Sequence, residues 1–358
     1  MASVEVRQLY KRYGRIQALQ GLDFSVKDGE FFCLLGAPGA GKTTTFRIIA
    51  GLEKPDRGEI RIGGELMNAI PPQQRDVAMV FEDVALYPHM SGFDNIAHPL
   101  RLRRFPEAEI RQRVSEVAEL LRISHLLHRL PHTYSGGERR RVAIARAMIR
   151  RPRVLLLDQA FTDLDAKIRQ EMAAELKRLQ RETGQTMIYA THDFEEAVAM
   201  ADRILVIRDG RGIQVDEPHA LYNRPATTFV ASFLGSPGMN LLRCQAIPGP
   251  EGTCFSRSEF MLSFPLRLQE EREVILGIRP EHLQIHLNQF PGALEAEVEI
   301  IQPLGLERIV DLRIGPLVLK AIVSADLPLR LGQKVWLSWP FEHLFVFDAE
   351  TEERIYPE

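Results

Sequence analysis

The chain is 358 residues long, with 45% hydrophobic residues, 26% charged residues and a formal net charge of -3. This composition is typical of a folded globular protein, and the length suggests about two domains. The near-neutral charge argues against a strongly basic nucleic-acid-binding domain, and three cysteines are too few for a disulfide framework. The sequence shows neither an apolar leader segment nor the run of about 20 apolar residues that a membrane span needs. We therefore expect a soluble protein that binds no nucleic acid and reaches a membrane only through a partner.

Residues 1–237 are predicted to form an α/β domain. Short, continuous apolar runs favour strands that are buried on both faces of a parallel sheet. Between about residues 90 and 150 the apolar residues recur at helical spacing, which predicts an inserted helical subdomain. The apolar runs are Phe31–Leu35, Val154–Leu157, Thr186–Ala190 and Ile204–Ile207, and the helical positions include Ile110, Val114, Val117, Leu120 and Leu121.

Residues 238–358 are predicted to form a second, all-β domain. A boundary is indicated by the Gly- and Pro-containing segment Leu234–Gly238. Beyond it the helical periodicity fades, and short β-like runs such as Val274–Ile278 and Val335–Trp339 are separated by Gly and Pro about every ten residues. This spacing is typical of a small β-barrel or sandwich.

A glycine-rich loop follows the first apolar run and matches the pattern G-x-x-x-x-G-K-[ST]. Backbone N–H groups in such a loop, and at the start of the helix after it, point at phosphate groups. Lys42 is then expected to reach the β- and γ-phosphates, and the Thr43 hydroxyl to ligate Mg²⁺. The loop predicts a nucleotide-phosphate site without separating kinases, GTPases, helicases and transport ATPases. Its residues are Gly36, Ala37, Pro38, Gly39, Ala40, Gly41, Lys42, Thr43 and Thr44.

A second candidate anion site lies at the start of a later helix. Ser135, Gly136, Gly137 and Glu138 open an amphipathic, arginine-rich segment. Helix starts with exposed N–H groups favour anions. A serine N-cap followed by a flexible turn would give the same pattern.

Four more segments follow a fixed order with these two. Leu155–Asp158 is an apolar run that ends in a carboxylate, Thr162–Asp165 follows it, His192 ends another apolar run, and Tyr13 precedes the glycine-rich loop. Each alone has a simpler explanation, such as a turn cap for Asp158 or a structural histidine at a strand end. Their joint order is much harder to explain in that way.

Together these segments resemble the ATP-binding cassette (ABC) family, with Ser135–Glu138 similar to its LSGGQ signature. The resemblance implies that ATP and Mg²⁺ bind between the phosphate loop of one subunit and the signature of a second cassette, either the same chain or a paralogue. It further implies that Asp158 holds Mg²⁺, that Thr162–Asp165 is a loop crossing the dimer interface, that His192 contacts the γ-phosphate and that Tyr13 stacks on adenine.

The resemblance narrows to importers of the maltose and sugar-phosphate type. Ala85–Met90 is similar to the segment that docks a cytoplasmic helix of the membrane subunit, and Gly277–His282 is similar to the hallmark of an OB-like C-terminal domain called TOBE. Leu221–Pro225 and Phe233–Asn240 resemble the same group. The implied protein lies on the cytoplasmic face of the inner membrane, bound to two transmembrane permease subunits and served indirectly by an extracytoplasmic solute-binding protein. A carbohydrate, polyol or glycerol phosphate is the implied solute class.

Four residues depart from the family pattern. Gln159 follows Asp158 where the family has the glutamate that polarises the attacking water, and a glutamine cannot take a proton at neutral pH. Loss of a general base typically costs about 10²–10⁴-fold in rate. Glu82 stands where the family has a glutamine that ligates Mg²⁺ and senses the γ-phosphate; a carboxylate can still ligate Mg²⁺ but adds negative charge. Glu138 replaces the last signature glutamine and Ala160 replaces a proline, both with little implied cost.

Gln159 has two explanations that the sequence leaves open. The chain is either a naturally weakened cassette that pairs with an active paralogue, or one whose glutamate was replaced deliberately to hold the ATP-bound dimer. The expected function is an ATP-binding subunit that powers solute import, with impaired hydrolysis at its own site. The alternatives are a mainly regulatory nucleotide-binding subunit and a non-transport ABC ATPase, although the long coiled-coil insertion or second cassette of the latter class is missing.

Overall fold

The structure is a computed structural model, and it describes residues 1–161 and 165–355. The chain divides into two compact units, Met1–Leu221 and Tyr222–Glu358. The second unit thus begins before the boundary predicted at residues 237–238. The buried guanidinium of Arg279 donates to the backbone carbonyls of Tyr222, Ala231 and Leu234 and so ties this segment to the rest of the second unit.

The described residues of the first unit form ten strands, six complete α-helices and the start of a seventh α-helix. The strands are β1 (Val4–Tyr13), β2 (Ile16–Val26), β3 (Phe31–Leu35), β4 (Arg57–Ile62), β5 (Glu65–Leu66), β6 (Val77–Val80), β7 (Val154–Asp158), β8 (Met187–Thr191), β9 (Arg203–Arg208) and β10 (Arg211–Asp216). The helices are α1 (Lys42–Ile49), α2 (Gly92–Leu102), α3 (Glu107–Leu120), α4 (Gly136–Met148), α5 (Ala166–Thr183), α6 (Phe194–Met200) and α7 (Pro218–Asn223), which extends two residues into the second unit.

Two sheets make up this unit. The larger one has the strand order β10-β9-β3-β8-β7-β6, and β9, β3, β8, β7 and β6 run parallel. The smaller one, β2-β1-β4-β5, is antiparallel. Every residue of β3, β7 and β8 is buried, as their continuous apolar sequence predicts. Each large apolar side chain buried in this way contributes about 1.5–3 kcal/mol, so the parallel sheet is a rigid support for the loops at its edge.

Helices α2, α3 and α4 lie within the predicted helical region. On α3 the buried residues are Ile110, Val114 and Ala118, which recur every four residues and so form one apolar stripe. The α/β interpretation of the first unit, with its helical insertion, is confirmed.

The second unit is almost entirely β-structure, as predicted. Its core joins residues from two antiparallel sheets, β13-β12-β11-β14-β20-β21 and β15-β19-β16-β17-β18. The elements are α8 (Thr228–Phe233), β11 (Asn240–Gly249), β12 (Gly252–Arg257), β13 (Phe260–Phe264), β14 (Arg272–Ile278), β15 (Gln284–His286), β16 (Leu294–Leu304), β17 (Glu307–Ile314), β18 (Leu317–Ser324), β19 (Lys334–Ser338), β20 (Phe345–Asp348) and β21 (Arg354–Ile355). No helix in the described residues of either unit has both the length and the apolar character required to cross a bilayer.

Candidate nucleotide-binding site

The parallel sheet brings most of the predicted site residues to one edge. Strands β3, β8, β7 and β6 are neighbours, so their carboxyl ends open onto the same side of the sheet. Gly36 follows β3, Asp158 ends β7, His192 follows β8, and Glu82 comes two residues after β6. Ligands of open α/β sheets bind outside this edge.

Two glycines of the loop are required by the space around them. A Cβ at Gly36 would lie 2.5 Å from the carbonyl oxygen of Ile207, and one at Gly41 would lie 2.6 Å from that of Ala18. Gly41 also has a φ of 103°, which side-chain-bearing residues rarely adopt. The loop therefore packs closely on β9 and β2 while α1 begins at Lys42.

Lys42 is buried beneath the loop. Its ammonium group donates to the carbonyl of Gly36 at 2.6 Å and to that of Ala37 at 3.0 Å. Burial lowers the pKa of Lys42, while the nearby charges of Asp158 and Glu82 act in the opposite direction. A buried ammonium that donates to backbone carbonyls is suited to exchange those acceptors for an anion.

Asp158 and Thr43 fit a divalent cation. Asp158 is 2% exposed, and its Oδ1 has no hydrogen-bond partner among the described residues. Burial raises the pKa of Asp158, and a hydrogen bond from the Thr43 side chain opposes this effect only in part. A buried carboxylate oxygen beside a hydroxyl matches the hard oxygen ligands that Mg²⁺ prefers.

Gln159 lies between Glu82 and His192. Its amide Nε2 donates to Oε2 of Glu82 at 3.1 Å, and its Oε1 lies 3.3 Å from Nδ1 of His192. Gln159 has a φ of 46°, and its backbone N–H donates to Ala190 of the neighbouring strand. The turn after β7 is therefore fixed, and it directs the side chain toward two residues that the sequence had singled out separately.

The loop that carries Glu82 is held by a residue that the sequence analysis missed. Arg140 on α4 is 3% exposed and donates from Nη1 to the carbonyls of Phe81 and Glu82, at 3.2 and 2.7 Å. It lies in a run of three arginines, and such a run normally indicates a solvated helix face. The sequence distinguishes Arg140 from its neighbour only by its position on the helix: α4 buries Arg140 and leaves Arg139 exposed.

The predicted signature residues form the start of α4. Ser135 Oγ accepts from the backbone N–H of Glu138, and Glu138 Oε2 accepts from the N–H of Ser135, which is a capping box. Glu138 also lies 3.3 Å from His125, and the hydrogen bond from the Ser135 backbone lowers its pKa. Glutamate and glutamine both serve in a capping box, which explains why Glu138 is tolerated. Ser135 and Gly136 remain exposed, so this helix start is accessible to a ligand.

Tyr13 ends β1, and the residue is 41% exposed. The ammonium of Lys11 lies 5.1 Å from the ring centroid. Strand β2, which forms the hairpin with β1, contacts Gly41 through Ala18. The structure thus leaves the ring open at the end of a hairpin that touches the phosphate loop. Residues 162–164 of the predicted interface loop lie outside the described residues.

Asn95, which the sequence analysis also missed, holds the predicted docking segment. It is fully buried on α2, accepts from the N–H of Tyr87, and donates to the carbonyls of Tyr87, Met90 and Ser91. The segment forms part of the wall of a groove of about 600 Å³, together with Leu102, Arg146 and other residues. A single amide makes four backbone hydrogen bonds, so the shape of this segment is firmly set.

Comparisons with known proteins find similar chains over the whole length. The ABC transporter family model matches residues 19–162, a model described as the MalK OB fold domain matches 235–283, and a TOBE domain model matches 276–347. The trehalose/maltose import ATP-binding protein MalK of Thermococcus litoralis is 46% identical over 99% of this chain and 100% of its own length. The sn-glycerol-3-phosphate import ATP-binding protein UgpC 2 of Agrobacterium fabrum is 42% identical over 100% of this chain and 96% of its own. A solved ATP-binding cassette, dimeric in a post-hydrolysis state with ADP and Pi, is 30% identical with a TM-score of 0.55, covering 60% of this chain and 98% of that one.

Proposed function

The chain belongs to the ABC transporter family, among the ATP-binding subunits of sugar and glycerol-phosphate importers, and we propose that it drives import by ATP-dependent dimerisation while hydrolysing ATP slowly at its own site. The observation that carries this proposal is the convergence of Lys42, Asp158, Gln159, Glu82 and His192 on one edge of the sheet. The names of the relatives support a carbohydrate, a polyol or a glycerol phosphate as the solute.

The residues of the phosphate loop divide the work of binding. The backbone amides of Gly36–Thr44 and the ammonium of Lys42 bind the phosphates, and Tyr13 offers a ring face to the adenine. Thr43, Asp158 and Glu82 are the residues that would hold Mg²⁺, which would supply neutralisation of the phosphate charge when bound.

Dimerisation completes each site with a second cassette. The exposed start of α4, at Ser135–Glu138, offers N–H groups and the positive end of a helix dipole to the triphosphate held by the partner. His192 and Gln159 then position the attacking water from the side of the sheet. Because Gln159 cannot accept its proton, we expect the ATP-bound dimer to persist.

Closure of the cassette dimer is transmitted to the membrane subunits through the docking segment, Ala85–Met90, whose backbone Asn95 binds. Leu86 and Tyr87 of this segment line the groove described above, and its lining residues Tyr87 and Leu102 are 40% and 72% exposed. An exposed apolar groove is suited to receive an amphipathic helix. The proposed place of the chain is therefore the cytoplasmic face of the inner membrane, held by two permease subunits that in turn meet a solute-binding protein.

A complementation experiment tests the composite site. Lys42→Ala disables the phosphate loop and Ser135→Arg blocks the signature, so neither variant should form an ATP-dependent dimer alone. A mixture should recover dimers, because the loop of the Ser135→Arg chain and the signature of the Lys42→Ala chain together make one intact site. Light scattering with and without MgATP measures the result, and thermal unfolding without nucleotide checks that both variants fold.

Absence of dimers in the mixture, with wild-type dimers present, would overturn the sandwich arrangement. If the wild-type chain stays monomeric with ATP, the same test is applied to the chains that co-purify with it. A paralogous cassette among them supports the second candidate function, a mainly regulatory subunit with an active partner, which Gln159 and Glu82 favour.

A further inference from the structure

Two of the departures from the family pattern, Gln159 and Glu82, are in direct contact. Gln159 Nε2 donates to Glu82 Oε2 at 3.1 Å. In the sequence they look like two unrelated changes. Gln159 removes a carboxylate after β7, and Glu82 adds a carboxylate after β6. In space they put one carboxylate and one amide side by side, with their places exchanged relative to the family pattern.

The chemistry of the three side chains permits one orientation of the amide. A carboxylate of Glu82 only accepts, so the NH₂ group of Gln159 must face it. The amide oxygen then faces Nδ1 of His192 at 3.3 Å, where it accepts the Nδ1 proton. Gln159 thus links Glu82 to His192, and both of its polar ends are used.

The backbone segments that carry both side chains are held in place. The backbone of Glu82 is held by buried Arg140, and that of Gln159 is held by Ala190 in β8. With glutamate at position 159, two carboxylates would meet across this contact in a site that also receives a triphosphate. Like charges this close repel, and the repulsion grows as water is excluded.

We infer that Glu82 and Gln159 form one exchanged carboxylate–amide pair, so that full hydrolysis at this site requires both positions to change together. The inference rests on the proposed function, because it assigns water activation to position 159. The contact also favours a natural origin for Gln159, since a trapping substitution alone would leave position 82 unchanged.

Four proteins test it: the wild type, Gln159→Glu, Glu82→Gln and the double exchange. The affinity for MgATP should follow the number of carboxylates. Glu82→Gln should bind about fivefold tighter than wild type, Gln159→Glu about fivefold weaker, and the double exchange as wild type. The rate of ATP hydrolysis should instead depend on which position carries the carboxylate. The double exchange should hydrolyse ATP at least about 10²-fold faster than the wild type, and Gln159→Glu alone should be much slower than the double exchange. Titration with fluorescent ATP measures the affinities, and phosphate release measures the hydrolysis rates.

Each outcome separates the pair from the function. If Gln159→Glu alone hydrolyses as fast as the double exchange, the coupling is refuted while the importer function stands. If Glu82→Gln abolishes the residual turnover and the double exchange does not restore it, Glu82 itself serves the water and the inference is wrong. If no variant binds MgATP, the proposed function fails instead. Glu251→Gln removes an exposed carboxylate in the turn after β11 and controls for net charge. It should change neither the affinity for MgATP nor the hydrolysis rate.

Discussion

Arg140 and Glu82 connect the two halves of the proposed composite site within one chain. Arg140 lies one turn after the signature residues, and its Nη1 donates to the carbonyl of Glu82 at 2.7 Å. The helix start that would meet the partner's nucleotide is thus joined, through one buried side chain, to the loop that faces the chain's own nucleotide. Nothing of this contact depends on the Glu82 carboxylate, so it orients the loop whichever residue stands at position 82.

Arg140→Leu should loosen that loop. The change removes the two carbonyl contacts of a buried charged donor, and we expect a loss of about 1.5–3 kcal/mol in unfolding free energy. The affinity for MgATP should fall as well, because the backbone of the loop after β6 loses its fixed place at the edge of the sheet. Arg139→Leu, one residue earlier and exposed, is the matched control and should leave both quantities unchanged. Urea unfolding and nucleotide titration give the comparison, and equal effects from both variants would contradict the contact.

Asp158→Asn should separate stability from binding. Asp158 is a buried carboxylate whose Oδ1 has no hydrogen-bond partner among the described residues, and burial raises its pKa, which disfavours the charged form. The neutral amide should therefore raise the melting temperature of the nucleotide-free protein by about 2–4 °C, while Mg²⁺ should no longer strengthen ATP binding.

Asp326→Asn, at an exposed position in the second unit, is the control and should change neither property. A drop in melting temperature for Asp158→Asn would show that the carboxylate is satisfied within the protein and is not reserved for a cation.

The sequence predicts those parts of the site that lie next to strand ends. Phe31–Leu35 and Val154–Asp158 are apolar runs that end in the phosphate loop and in Asp158, so the parallel sheet alone brings them together. The all-β second unit was predicted equally well, because its apolar runs and turns repeat at short intervals.

Contacts between distant segments could not be predicted in this way. Arg140 and Asn95 have the residue types of exposed helix positions, and only the packing of α4 and α2 turns them inward. The contact of Gln159 with Glu82 joins loops 77 residues apart in the chain, and it depends on the pairing of β6 with β7. Arg279 similarly binds the backbone of residues 222–234, a segment whose sequence resembles a linker.

Arg279→Leu should destabilise the second unit. The guanidinium is 1% exposed, donates to three backbone carbonyls and lies 3.6 Å above the Tyr222 ring. Its loss leaves buried acceptors without donors, at a cost of about 2–4 kcal/mol in unfolding free energy. Arg267→Leu, at an exposed position, should cost far less. Both tryptophans of the chain, Trp336 and Trp339, lie in this unit, so their fluorescence reports its unfolding directly. If the unfolding midpoint measured by tryptophan fluorescence is unchanged in Arg279→Leu, Arg279 does not stabilise the second unit.

His282 should make the second unit sensitive to acid. Its ring stacks on that of His343 with centroids 3.6 Å apart, and its Nδ1 is buried with no hydrogen-bond partner among the described residues. Burial lowers the pKa of His282, the charge of His343 lowers it further, and Glu281 opposes the shift. The unfolded chain therefore binds this proton more readily than the folded one, so stability is full above the ordinary pKa of 6.5 and falls as the pH drops through the lower folded value. Between pH 7.5 and 5.5 the tryptophan midpoint should fall more in the wild type than in His282→Gln, whose amide does not titrate. His132→Gln, exposed in the first unit, should keep the wild-type slope. Parallel slopes for all three proteins would mean that protonation of His282 costs the fold nothing.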